Sequence, residues 1–237
     1  MYWIHRLSDI VLPPRCVNCG QETSHHHLLC PQCWSHISFI HPPYCSICGW
    51  PLPYEASSCG QCAKDLPIFQ QGRSLFCYHS TIRALILKLK HHDATYIVPT
   101  LAHLLYRFGG DFLKDTDGLI PVPLHRWRLA HRGFNQMTLI ANYLRTLHPI
   151  AVQVNVLKRY RFTPYQTQQL SHQRQSNVNS AFKVTAYGHK WLPHKRVVLL
   201  DDVWTTGATL TECCRMLLKA GAQEVKVLTI ARVIPFS

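Results

Sequence analysis

The sequence predicts a mixed α/β chain, a small cysteine-rich module followed by a parallel sheet with helices on its faces. Three observations predict it. Eight of the eleven cysteines crowd into residues 16–62 as four C-x-x-C pairs. The rest of the chain alternates amphipathic helical stretches with short apolar runs of strand length, the pattern of strands joined by crossover helices. The 237 residues, 47% of them hydrophobic, suffice for one medium domain beside a small module and exclude a disordered polymer. No run of 18 apolar residues predicts a membrane span. Met1–Pro14 carries Arg6 and Asp9 where a secretory leader needs an unbroken apolar core. That stretch reads as a short amphipathic helix with Trp3, Ile4, Leu7, Ile10 and Val11 on one side.

The cysteines form a repeat. Adding 29 to Cys16, Cys19, Cys30 and Cys33 gives Cys45, Cys48, Cys59 and Cys62. Gly20 and Gly49 follow the first pair of each unit, and Pro14 and Pro43 precede it at matching places. A glycine there allows the tight turn that aims amide N–H groups at thiolate sulfur. Four thiolates suit a closed tetrahedral zinc site of the structural kind. Disulfides need an oxidising compartment, which no leader supports, and a redox C-x-x-C normally stands alone. The expectation is two structural Zn2+ ions. A duplicated unit favours sequential pairing, Cys16, Cys19, Cys30 and Cys33 on one ion and the other four on the second; an interleaved cross-brace is the alternative. His25, His26 and His27 read as a solvated loop. Cys77, Cys213 and Cys214 lack metal spacing and read as small buried apolar residues.

Residues 63–72 form a link, dividing a module at 1–68 from a larger domain at 73–237. Ile82, Leu85, Ile86 and Leu89 recur at helical spacing, with Arg83 and Lys90 on the opposite side. A second helix is expected over about 95–107, and a loop at Gly109–Gly118. Leu119–Val122 reads as a strand. Phe134, Met137, Ile140, Ala141, Leu144 and Leu147 define a further helix, and Val152–Leu157 another strand. Val197–Leu200 is a buried strand, residues 208–220 a helix ended by Gly221, and Val225–Ile230 a last strand.

Charge is placed unevenly. Residues 1–69 are net −1, residues 70–237 net +14, and no acid occurs between Asp117 and Asp201, a stretch holding twelve Lys and Arg. Such a stretch suits a phosphate-bearing partner; a solubilising surface is the bland alternative.

The chemistry centres on VVLLDDVWTTGATL, Val197–Leu210. A buried strand ends in Asp201 and Asp202, then a turn, then a helix, the place where open α/β sheets bind ligands. Thr205, Thr206, Gly207, Ala208 and Thr209 offer hydroxyls and amide N–H groups to a phosphate at the helix N-terminus. The two acids suit sugar hydroxyls or a hydrated Mg2+. An ordinary strand end with a threonine N-cap is the plain alternative. The lysine and glycine spacing of a Walker A loop are missing.

This segment resembles the phosphoribosyl pyrophosphate (PRPP) motif of type I phosphoribosyltransferases. In that family the paired acids bind the ribose hydroxyls and the Thr/Gly loop holds the 5-phosphate. IPVPLHRWRLAHRGFNQ (Ile120–Gln136), RFTPYQTQQLSHQRQSNVNSAF (Arg161–Phe182) and LPPRCVNCG near the start look like hallmarks of ComF-type proteins. These join an N-terminal zinc ribbon to a type I phosphoribosyltransferase-like domain, and the resemblance spans nearly the whole chain. It implies PRPP with Mg2+ as ligand, Arg126, Arg128 and Arg132 in the pyrophosphate loop, and Arg174 on a flexible loop that closes over the site. Excluding water protects an activated ribosyl centre.

ComF-type proteins serve natural transformation, in which single-stranded DNA enters the cytoplasm; a sister class named for gluconate metabolism shares the architecture. The resemblance therefore implies a cytoplasmic protein, with the inner face of the membrane as an option. Twelve cations exceed what PRPP needs. Lys158, Arg159 and Arg161 interleave with Tyr160, Phe162 and Tyr165, and Trp127 lies between Arg126 and Arg128. Cations beside aromatic faces suit single-stranded DNA. A true transferase acting on an unidentified acceptor is the alternative, and no residue stands out as its general base. A third option is an adaptor whose zinc ribbons dock a helicase or another DNA-processing protein.

Overall fold

The computed structural model describes residues 13–160 and 181–235. The expected N-terminal helix falls almost wholly outside them, and Arg161, Phe162, Tyr165 and Arg174 lie outside as well.

The 29-residue repeat is a repeat of structure. Each unit opens with a two-stranded bridge, Arg15↔Glu22 in the first and Tyr44↔Pro51 in the second. Each closes with a one-turn helix, α1 (Pro31–Ser35) and α2 (Gly60–Lys64), with Cys30 and Cys59 at the N-cap positions.

The larger part is built on four parallel strands in the order β1 (Gln71–Cys77), β6 (Glu224–Arg232), β5 (Arg196–Trp204), β2 (Gly118–Pro121). Parallel strands buried on both faces read as unbroken apolar runs, and Val197, Val198, Leu199 and Leu200 are each buried to within 1%. Val198 and Leu200 join the core formed with α3 (Ser80–His91), α4 (Val98–Gly109) and α6 (Gln136–Leu147). Val197 and Leu199 join the opposite core, with Trp191 of α7 (Ala186–Trp191), α8 (Ala208–Lys219) and the antiparallel pair β3 (Leu157–Arg159) and β4 (Phe182–Val184). The second cysteine set, Cys45 to Cys62, lies in that same core.

The expected helices are present, the second entered through a short 3-10 turn at Thr95–Ile97. Three expectations are corrected. Val152–Leu157 is not a strand: Val152 makes one isolated bridge to Leu119, and β3 begins only at Leu157. The Arg126–Asn135 loop contains a helix, α5 (Arg126–Arg132), capped by the His125 side chain and ended by Gly133 at φ 75°. The expected link at residues 63–72 also ends sooner, because β1 begins at Gln71. The cysteine module packs on that strand: Ile40 N–H donates to Leu75 O (2.9 Å), Cys77 N–H to Ser38 O (2.8 Å) and Gly72 N–H to Ile47 O (2.7 Å).

Candidate functional site

The cysteines gather as two sequential sets, and within each set the four sulfurs lie within 4.8 Å of one another. Gly20 (φ +79°) and Gly49 (φ +69°) take the left-handed conformation that closes each C-x-x-C-G turn. Sulfur–sulfur distances of 3.6 Å (Cys19–Cys30) and 3.7 Å (Cys48–Cys59) match a tetrahedron edge of about 3.8 Å for Zn–S bonds near 2.3 Å. Burial pushes the Cys16 thiol up, yet amide donors from Cys19, Cys30 and Asn18 outweigh it and bring it down to about 6. Cys45 comes down to about 7 by the same opposition, with amides of Cys48, Cys59 and Ile47. Both sets fit a structural zinc ion.

The acid pair sits at the carboxyl end of β5, in the middle of the sheet. Neighbouring residues of a strand face opposite ways, so the two acids have different surroundings. Asp202 is buried (7% exposed). Its Oδ2 accepts from Gln136 Nε2 at 2.8 Å and pairs with Lys90 Nζ at 2.8 Å. Asp201 is half-buried, and its Oδ1 accepts from the Asp202 N–H at 2.9 Å. Burial and the neighbouring Asp202 push the Asp201 carboxyl up to about 7, against the pull of Lys90 and Arg159.

Beyond Trp204 the chain turns through Thr205, Thr206 and Gly207 into α8. Both threonines are exposed, and Gly207 (φ +80°) is the N-cap residue, which brings no side chain to the helix end. The Ala208 N–H reaches Thr206 Oγ1 at only 3.4 Å, and Thr209 stands half-exposed in the first turn. Such a twelve-residue helix end, with its amides directed at an open loop, is suited to an anion.

Of the three expected arginines, the structure draws Arg132 into the acid network, its Nη1 donating to Gln136 Oε1 at 3.2 Å. Arg126 is exposed, 5.9 Å from the Trp127 ring centroid, and Arg128 is half-buried. Lys158 is exposed on β3, whereas Arg159 lies over Phe182 (5.2 Å) and acts electrostatically on Asp201. Trp127 (64% exposed) and Tyr160 (56%) are surface aromatics rather than core. His125 ties their elements together: Nδ1 accepts from the Trp127 N–H, and Nε2–H therefore donates to Tyr160 O at 3.1 Å. The α5 and β3 cations thus border one another.

Lys90 and Gln136 escape a reading of the sequence. Lys90 falls on the polar side of an amphipathic helix and Gln136 at a helix start, positions that ordinarily face water. Near Lys90, burial and the charges of Arg132 and Lys90 hold the His91 imidazole below its usual range.

Residues 7–63 match the model of a double zinc ribbon domain, and residues 133–234 that of a phosphoribosyl transferase domain. Competence protein F of Haemophilus influenzae is 34% identical over 184 residues, 76% of this chain and 80% of its own. DNA utilization protein YhgH of Escherichia coli K12 is 30% identical over 92% of this chain and 90% of its own. Competence protein ComFC of Bacillus subtilis is 28% identical over 71% and 67%. No helix of the described residues is long and apolar enough to cross a membrane. With two zinc ribbons leading into a phosphoribosyltransferase domain, and with these relatives, the chain belongs to the ComF family.

Proposed function

We propose that this chain binds PRPP with Mg2+ at the end of β5 and single-stranded DNA on the cationic, aromatic surface beside it, and that it serves the uptake of transforming DNA into the cytoplasm. The observation that carries the reading is the juxtaposition at the carboxyl end of β5 of an acid pair, an open helix N-terminus and the cations Lys90, Arg132 and Arg159. Thr205, Thr206 and the first amides of α8 take the 5-phosphate. Asp201 takes the ribose hydroxyls or the waters of the metal. Asp202 is already engaged, so Lys90 and Gln136 hold it in place while Arg132 meets the pyrophosphate. Bound Mg2+ supplies further charge neutralisation for the pyrophosphate.

The DNA half rests on α5 and β3. Trp127 and Tyr160 offer exposed ring faces, Lys183 Nζ stands 5.4 Å from the Tyr160 centroid, and Arg126 and Lys158 are exposed beside them. Stacking with flanking phosphate contacts is the mode these residues suit. Names of the relatives, competence and DNA utilization, agree with a role in handling DNA.

Calorimetry with Mg2+–PRPP, followed by incubation with DNA or free bases, tests the reading. Binding without pyrophosphate release makes PRPP a ligand. Acceptor-dependent release makes the chain a transferase, and the absence of any PRPP heat refutes the site.

A further inference from the structure

Arg232, at the end of β6, lies between the second cysteine set and the Thr205–Gly207 loop. It is 8% exposed, and among the described residues no carboxylate pairs with it. Its guanidinium lies over two indoles, 4.9 Å from the Trp50 centroid and 4.1 Å from that of Trp204. Nη1 donates to Cys48 O at 2.7 Å, and Nε is buried with no acceptor. A buried cation needs a counter-charge nearby. Burial holds the guanidinium below its usual range, and the groups that oppose this are Cys48, Cys59 and Cys62. Four thiolates around one Zn2+ carry a net charge of about −2, so the loaded second site supplies what the guanidinium lacks.

The Trp204 indole carries the contact onward. A Cβ at Gly207 would stand 2.8 Å from Trp204 Nε1, and one at Gly72 would stand 2.7 Å from Cζ3. Phe69 closes the edge at 5.4 Å. The ring is held between two glycine backbones, one of them the N-cap of α8, so it cannot shift without moving the loop.

We propose that Arg232 is a positioning residue that couples the second zinc ribbon to the Thr205–Gly207 loop through Trp204. Among the described residues the first ribbon's hydrogen bonds run elsewhere: to α3, from Thr81 Oγ1 to Cys33 O (2.9 Å) and from Lys88 to Asn18 O, and to α4, from Thr100 Oγ1 to His27 O (2.7 Å). The coupling bears on function through the PRPP reading above, yet it is measured without PRPP.

The test is amide hydrogen exchange over residues 203–209 in the full-length, zinc-loaded chain, with zinc content measured in parallel. Arg232→Met should raise exchange there at least tenfold and speed the loss of one zinc to a chelator; unchanged exchange overturns the proposal. Cys62→Ser, which empties the second site, should loosen the same segment, whereas Cys33→Ser should leave it protected. Equal responses to the two cysteine changes overturn the coupling, and this pair decides alone if Arg232→Met does not fold. A wild-type chain that shows the coupling but no PRPP heat refutes the PRPP reading and leaves the coupling standing.

Discussion

Lys90 Nζ lies 2.8 Å from Asp202 Oδ2, and only a tenth of either side chain is exposed. Removing one member of a buried pair leaves the other charge unmatched, at a cost of about 3–5 kcal/mol. Lys90→Met should therefore lower stability by about 3 kcal/mol, and adding Asp202→Asn should recover part of it. Urea unfolding of both single variants and the double variant measures the coupling; additive losses would show that the pair contributes nothing.

Asp201 carries a pH signature of its own. Its carboxyl is raised to about 7, by burial first and by Asp202 second. Between its ordinary value and about 7 the folded chain binds more protons than the unfolded one, so this residue makes stability fall as pH rises through that window. Asp201→Asn should be more stable than wild type at pH 8, with the gain gone near pH 4, and should lose PRPP. Denaturant midpoints across pH 4–8 check the sign; a variant less stable at pH 8 contradicts it.

The two repeat glycines should differ in cost. Both have positive φ, which penalises alanine by about 1 kcal/mol. A Cβ on Gly20 meets nothing within 4 Å, but one on Gly49 would stand 2.9 Å from Gly72 O and 3.2 Å from Arg73 Cα. Overpacking against backbone adds about 1–3 kcal/mol. Thermal melts should show Gly49→Ala as the larger loss, and equal melting shifts would contradict the packing of the second ribbon on β1.

Single-stranded DNA affinity should fall steeply with salt. Each phosphate contact contributes a slope of about −0.7 in log–log terms for single strands. Lys158→Ala should flatten the slope by about that amount, while Trp127→Ala should cost about 1–3 kcal/mol with the slope unchanged. Fluorescence anisotropy at several salt concentrations separates the two; a salt-independent affinity would contradict the electrostatic surface.

Legibility in the sequence followed locality. The cysteine repeat and the strand–acid–loop–helix segment are contiguous, so spacing makes both visible; it favoured sequential cysteine sets over a cross-brace, and the structure groups the sulfurs sequentially. β1 escaped because Gln71 and Gly72 fall in the expected link and Arg73 and Ser74 interrupt the apolar run that would mark a strand. Ser74 is nevertheless fully buried, its hydroxyl 2.6 Å from Thr229 Oγ1, and Arg73 lies 3.5 Å over the Tyr44 ring. The helix at Arg126–Arg132 buries none of its residues, so it leaves no apolar period to detect. Lys90, Gln136 and Arg232 matter through partners 112, 66 and 184 residues away, distances no local pattern spans.

The most direct measurement is isothermal titration of Mg2+–PRPP into wild type and into the double variant Asp201→Ala with Asp202→Ala, each shown to be folded by circular dichroism. A saturable heat in wild type that is absent from the folded double variant is the predicted result. Equal heats, or none in wild type, would contradict the assignment of PRPP to the end of β5.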